Sequence, residues 1–222
     1  ISKKESNMNK VIVIIGAGNG ISKAVAEKFG TEGFSVVLIS RREEKLEELQ
    51  HALKNKNIDA HFFVADAGDS DSIKDAFNQI WEIWENIDVL HYNVAKRKKV
   101  NIVDESVDGL TRDFKINVAS VMTAVTLVLP DMEKKGKGTI LLTGGGFALE
   151  PNPELGSLSI GKAGIRNLAN SLHIALKPKN IFVGTVTVCG AVQNDSSERS
   201  TQHVAQKFWE LYTNRNEFEI QY

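Results

Sequence analysis

The sequence predicts an α/β fold: a doubly wound parallel sheet of about six or seven strands with helices on both faces. Three observations predict it. Strand-like and helix-like segments alternate from one end of the chain to the other. The strand segments are continuous apolar runs, as strands buried on both faces are, not the apolar/polar alternation of a half-exposed antiparallel sheet. A glycine-rich turn, Gly16-Ala17-Gly18-Asn19-Gly20, joins the first strand to the first helix.

Residues 11–15 form a β-branched run ended by Gly16, which reads as a buried strand. A helix over 22–29 follows, stopped at Gly30 and Gly33. Residues 35–39 are the second apolar run. Residues 43–53 are helical, with Leu46, Leu49 and Leu53 on one face and acidic residues on the other. The third strand is 60–65. Ser70 or Asp71 can cap a helix that carries Ile73, Phe77, Ile80, Trp81 and Trp84 at helical spacing. A fourth strand at 88–91 leads to a long helix over 108–129, stopped by Pro130. The fifth strand is 139–143, and the next helix, 158–176, ends before Pro178. A sixth strand at 181–188, a helix at 203–212 and a short last strand at 218–222 complete the alternation.

The chain has 222 residues, 42% hydrophobic and 25% charged, so it can bury a core without staples. A formal net charge of -1 gives no general pull toward nucleic acid or anionic lipid. The single cysteine, Cys189, excludes an internal disulfide and suits a reducing compartment, so a cytoplasmic location is expected. The longest apolar run, 118–129, is interrupted by Ser120, Thr123 and Thr126, and reads as too short and too polar for a membrane span. Residues 1–7 are polar and unlike a secretory signal. They are expected to be a disordered leader or a cloning remnant, with Met8 the natural start. With no repeat or linker, 8–222 reads as one domain. Five scattered histidines and one cysteine suggest no metal site.

The placement of the glycine turn gives it chemical meaning. A helix start offers unpaired amides and a positive dipole end, and glycines let a diphosphate approach the backbone. Between the first strand and first helix of a βαβ unit, this is the fingerprint of a Rossmann-type dinucleotide site. Gly16, Gly18, Asn19, Gly20 and Ile21 are the expected contacts. At the end of the second strand an NAD site usually carries a carboxylate for the ribose 2′-hydroxyl. This chain has Ser40-Arg41-Arg42 instead. Arg41 or Arg42 would grip a 2′-phosphate with forked, charge-assisted bonds, so NADP is expected ahead of NAD. The other reading of the arginines is the basic start of a surface helix. Asp66, after the third strand, can accept from the adenine amino group or serve a turn.

Gly16-x-x-x-Gly20-Ile21, Ser40-Arg41-Arg42 and Asp66 together resemble the short-chain dehydrogenase/reductase family. The resemblance continues through residues 87–95, where Asn93 stands at the family's Asn-Asn-Ala-Gly strand end. It extends to Asn117 on the long helix and to Lys162-Ala163-Gly164 on the next. It implies an NAD(P)-dependent oxidoreductase acting on a carbonyl or hydroxyl group, with Asn93 and Lys162 at the cofactor. It also implies a homodimer or homotetramer paired through the helices 108–129 and 158–176. In the family a tyrosine moves the proton, and a lysine four residues later binds the nicotinamide ribose. A serine about thirteen residues before the tyrosine binds the substrate oxygen, and an asparagine supports a water relay. Lys162 and Asn117 match the lysine and asparagine. The tyrosine position is Leu158; the serine position is Gly145, or Gly144 if the loop shifts by one. A branch with enoyl substrates would set its tyrosine at Leu155. Leucine moves no proton and glycine has no hydroxyl. Ser22 replaces a third glycine, Asn19 stands where some NADP-binding members have a basic residue, and Val188-Cys189-Gly190 replaces a usual Pro-Gly. The chain therefore reads as a divergent member with a degenerate active site.

Other candidates carry plainer readings beside the functional ones. Lys162 binds ribose or is a surface lysine; Asn117 serves a relay or shapes its helix. Ser157 and Ser159 flank Leu158 and could bond a substrate. His91 is the one histidine placed to substitute as an acid, or it is a packed core residue. Lys96-Arg97-Lys98-Lys99 is a solvated loop, or it attracts an acidic substrate; it is no case for nucleic acid. Residues 156–163 nearly spell a phosphate loop but lack its final hydroxyl and its preceding strand. Without a Gly-x-Ser-x-Gly elbow, a hydrolase is unsupported. Three functions stay open: an oxidoreductase with an altered catalytic set and an unknown small-molecule substrate, a non-catalytic NADP(H)-binding or ligand-sensing protein, and a methyltransferase using S-adenosylmethionine.

Overall fold

A computed structural model describes residues 9–194 and 199–222. The expected leader at 1–7 lies outside the described residues. Seven strands form one sheet: β1 Val11–Ile15, β2 Ser35–Ser40, β3 Ala60–Val64, β4 Val89–Tyr92, β5 Gly138–Thr143, β6 Ile181–Thr187 and β7 Glu219–Gln221. Their order is β3-β2-β1-β4-β5-β6-β7 and every pairing is parallel. Ile14 stands beside Leu38 on one side and His91 on the other. Among the described residues the α-helices are α1 Ile21–Thr31, α2 Glu43–Lys54, α3 Ser70–Ile83, α4 Val107–Phe114, α5 Ser120–Lys135, α6 Gly156–Leu176 and α7 Thr201–Asn214.

Alternation along each strand divides the core into two layers. Val11, Val13 and Ile15 of β1 face Ile73 and Phe77 of α3, Val121 and Val125 of α5, and Ile165 and Ala169 of α6. Ile12 and Ile14 face the opposite layer, with Val25 and Phe29 of α1, Leu46 and Leu49 of α2, and Val204 and Phe208 of α7. Both faces of the sheet are covered, which is why its strands read as unbroken apolar runs. The strand order reverses between β1 and β4, and a crevice opens there beyond the carboxyl ends of the strands.

Three local expectations change. Asp69, rather than Ser70 or Asp71, caps α3, its carboxylate accepting from the amides of Asp71 and Ser72. The expected helix over 108–129 is α4 and α5 joined by a π-helical turn at Lys115–Ala119. Pro130 does not stop it. Pro130 and Thr126, whose carbonyl loses its amide partner, both face solvent, while fully buried Met132 holds the next turn to the sheet. The helix ends instead at Gly136, in the left-handed conformation at φ 62°. The whole run Val107–Lys135 spans 29 residues and reaches, by length and composition only, what a membrane crossing needs. In this fold one side of it is spent on the sheet through Val121, Val125, Val128 and Met132.

Candidate functional site

Backbone geometry at the crevice starts with Gly16. It turns the chain out of β1 at φ +87°, and a Cβ there would lie 2.8 Å from the backbone of both Asn93 and Val94, so only glycine fits. The amides of Gly16 and Ala17 bond the Ile39 carbonyl at 2.9 and 3.0 Å, and Asn93 Nδ2 donates to the Gly16 carbonyl at 3.3 Å. Buried Ser22 steadies the turn from within α1. Its Oγ accepts from the Gly18 amide at 2.9 Å and donates to the Gly18 carbonyl at 3.1 Å. Gly20, at the N-cap of α1, brings no side-chain cap. A Cβ at Gly18 or Gly20 would meet nothing within 4 Å. The first-turn amides of α1 thus lack a side-chain cap beside an unobstructed glycine turn, an arrangement that fits a diphosphate.

Two cavities adjoin along the segment after β4, where Asn93, Ala95 and Arg97 border both. The first, about 520 Å³, is bordered by Gly16, Ala17, Ser40, Arg41, Arg42 and Asp66, with Asn93 at its inner end. Exposed Arg41 and Arg42 have no ion-pair partner among the described residues. Arg42 is also the N-cap of α2, so the pair does stand at the start of a surface helix. Asp66 borders the crevice and accepts from the Gly68 amide at 2.8 Å in a local turn. Gly18, Asn19 and Gly20 border neither cavity; the chain enters the second one at Ile21.

That second cavity, about 940 Å³, lies beyond β4, β5 and β6. Lys162 of α6 enters it and donates to the Thr143 carbonyl at 2.8 Å. Burial, with no carboxylate partner among the described residues, pushes its pKa down to about 8. Leu158, one turn earlier and 7% exposed, lines the same wall. A Cβ at Gly145 would stand 3.2 Å from the Lys162 stem, whereas one at Gly144 would press on Thr185 and Thr187 of β6. Gly145, not Gly144, is therefore the position that faces the lysine.

The model of the short chain dehydrogenase family matches residues 10–205. The chain belongs to the short-chain dehydrogenase family. Among relatives, an uncharacterised oxidoreductase of Thermotoga maritima is 28% identical over 80% of this chain and 70% of its own length. Very-long-chain 3-oxoacyl-CoA reductase-B of Danio rerio is 31% identical over 82% of this chain and 60% of its own. The chain thus spans 60 to 70% of the length of these two curated relatives. An actinorhodin polyketide ketoreductase variant solved with NADPH shares the fold at a TM-score of 0.88 and 18% identity, over 96% of this chain and 95% of that one.

In this short-chain dehydrogenase several expected side chains are committed elsewhere. Ser157 Oγ donates to buried Asp113 at 2.9 Å, and Ser159 Oγ bonds the backbone at Asn152 and Leu155; neither borders the cavity. His91 is wholly buried, bonds Thr143 Oγ1 at 3.0 Å and packs on Phe208. Burial pushes its pKa down to about 3, so it is a neutral core residue and no substitute acid. The Asn117 amide is spent on Lys96: Oδ1 accepts from the Lys96 amide at 2.6 Å, and Nδ2 donates to its carbonyl at 3.5 Å. Its side chain shapes the loop after β4 and borders neither cavity. The sequence reading gives Thr143 no role beyond a strand end, and it names Arg97 only as part of the basic run 96–99. Thr143 links His91 to Lys162 through its hydroxyl and its carbonyl. Arg97 borders both cavities; its position just past the end of β4 was the available signal.

Proposed function

We propose that the chain, as one unit over 8–222, is an NADP(H)-binding oxidoreductase of its family with a degenerate active site, acting on a carbonyl or hydroxyl group. One observation carries this reading: Arg41 and Arg42 border the same crevice as the glycine turn, and the Lys162 amine enters the adjoining cavity. The first amides of α1 would take the diphosphate, and an arginine of the pair the 2′-phosphate. Asp66 would accept from the adenine amino group, with Asn93 lying where the two cavities meet. Lys162 spends one N–H on Thr143 and keeps two for the nicotinamide ribose. Once bound, the nicotinamide supplies hydride transfer. Leu158 stands at the tyrosine position and Gly145 at the serine position. Lys162 and a water beside it are then the remaining proton source, and loss of the general acid should cost about 10²–10⁴-fold in rate. A lone cysteine supports a cytoplasmic setting.

A non-catalytic NADP(H)-binding protein is the second reading, favoured by the apolar wall that Leu158 makes where a proton donor would stand. The methyltransferase reading rested on the glycine turn alone, and the family match removes its ground. NADPH absorbance followed against a panel of ketones, aldehydes and quinones separates the first two. Sustained oxidation at enzyme-like rates establishes the oxidoreductase. No oxidation by the wild type, with activity appearing only in the double variant Leu158→Tyr, Gly145→Ser, establishes a binder derived from an enzyme.

A further inference from the structure

The basic run after β4 is anchored at two residues and presents a third. Asn117 clamps the Lys96 backbone from both sides. Glu105, its side chain only 3% exposed, holds the Lys98 ammonium at 3.1 and 3.3 Å and accepts from the Ser106 amide. Between these anchors Arg97 has no hydrogen-bond or ion-pair partner among the described residues, yet it borders both cavities. A guanidinium so placed offers a planar fork of donors that matches a carboxylate or phosphate. The rest of the second cavity is largely apolar, walled by Ile21, Phe147, Leu149, Leu158, Val188 and Val192, with Lys162 its other cation and Glu150 its one carboxylate among the described residues. Arg97 stands at the side of this cavity shared with the first, so its guanidinium is placed to take one end of a ligand that extends along the apolar wall.

We propose that Arg97 selects the substrate, binding a carboxylate or phosphate on a carbonyl compound, or on the matching alcohol, whose apolar body rests against Leu158 and Val188. This rests on the dinucleotide reading and names the substrate class for it. The competing source of the anion is the diphosphate of the dinucleotide, because Arg97 also reaches the first cavity.

Calorimetry on the NADP⁺-saturated protein distinguishes the two, with 4-acetylbenzoate and acetophenone as matched probes. Neither ketone can be reduced by NADP⁺, so binding is read without turnover. The wild type is expected to bind 4-acetylbenzoate on the order of tenfold more tightly, the scale of a charge-assisted bond. Arg97→Gln is expected to erase that preference and leave NADP⁺ affinity nearly unchanged, while Arg97→Lys keeps part of it. Equal binding of the two ketones by the wild type, or a preference that survives Arg97→Gln, overturns the proposal. So does an Arg97→Gln protein that loses NADP⁺ affinity on the order of tenfold with its preference intact, since Arg97 would then serve the diphosphate. A wild type that binds no NADP⁺ contradicts the dinucleotide reading itself, a separate failure seen before any ketone is added.

Discussion

At the second turn of α6, Lys162 places an amine against the carbonyl of Thr143, with no carboxylate among the described residues to balance its charge. Folding therefore lowers its pKa from the ordinary 10.5 to about 8. Between those two values the unfolded chain binds more protons than the native one, so this group's contribution to stability rises as pH climbs from about 8 to 10.5. Lys162→Met removes the titration. Urea unfolding should show its stability advantage over the wild type to be largest near pH 7 and to shrink toward pH 10; a pH-independent difference would mean the amine is solvated. Gly16, Arg41 and Asp66 were legible in the sequence because backbone approach and strand ends fix their places. Ser157 and Ser159 were not: their hydroxyls turn toward Asp113 and the backbone of Asn152 and Leu155, and no spacing rule announces that.

Among the elements, the junction of α4 and α5 departs most from its sequence pattern. Apolar spacing predicts one smooth helix, but Lys115–Ala119 widens into a π-helical turn. The Ile116 carbonyl there accepts from buried Tyr92 Oη at 2.9 Å, and Asn117 reaches Lys96. The turn thereby holds the loop that carries Arg97. Asn117→Ala would leave the Lys96 amide without its acceptor and should cost about 1–3 kcal/mol. Hydrogen exchange at residues 95–99 should speed up with it. Unchanged exchange there would show that the loop holds itself. Strand and helix order was readable because two buried faces write continuous apolar runs. The π turn and the helix past Pro130 were not, because each depends on contacts distant in sequence: Tyr92 for the first, and the sheet beneath Met132 for the second.

At the scale of the whole molecule, α4 and α6 leave an apolar face outside the two core layers. Phe114 is 41% exposed and lies over Gly164, one turn from exposed Ile160. Val103 and Val107 stand exposed nearby along the chain. We propose that this face pairs two copies, giving the dimer or tetramer the family resemblance implies. Sedimentation should find the wild type dimeric or larger and Phe114→Glu monomeric at the same concentration; a monomeric wild type contradicts the pairing. The glycine turn, the arginines after β2 and the lysine of α6 come from separate parts of the chain, and the reversal of strand order beside β1 gathers them around two adjoining cavities. Fluorescence titration of the protein with NADPH and with NADH tests that gathering most directly. The predicted result is saturable binding of both, with NADPH tighter by on the order of tenfold and the difference lost in Arg41→Ala, Arg42→Ala protein. Failure of the wild type to bind either nucleotide would contradict the account.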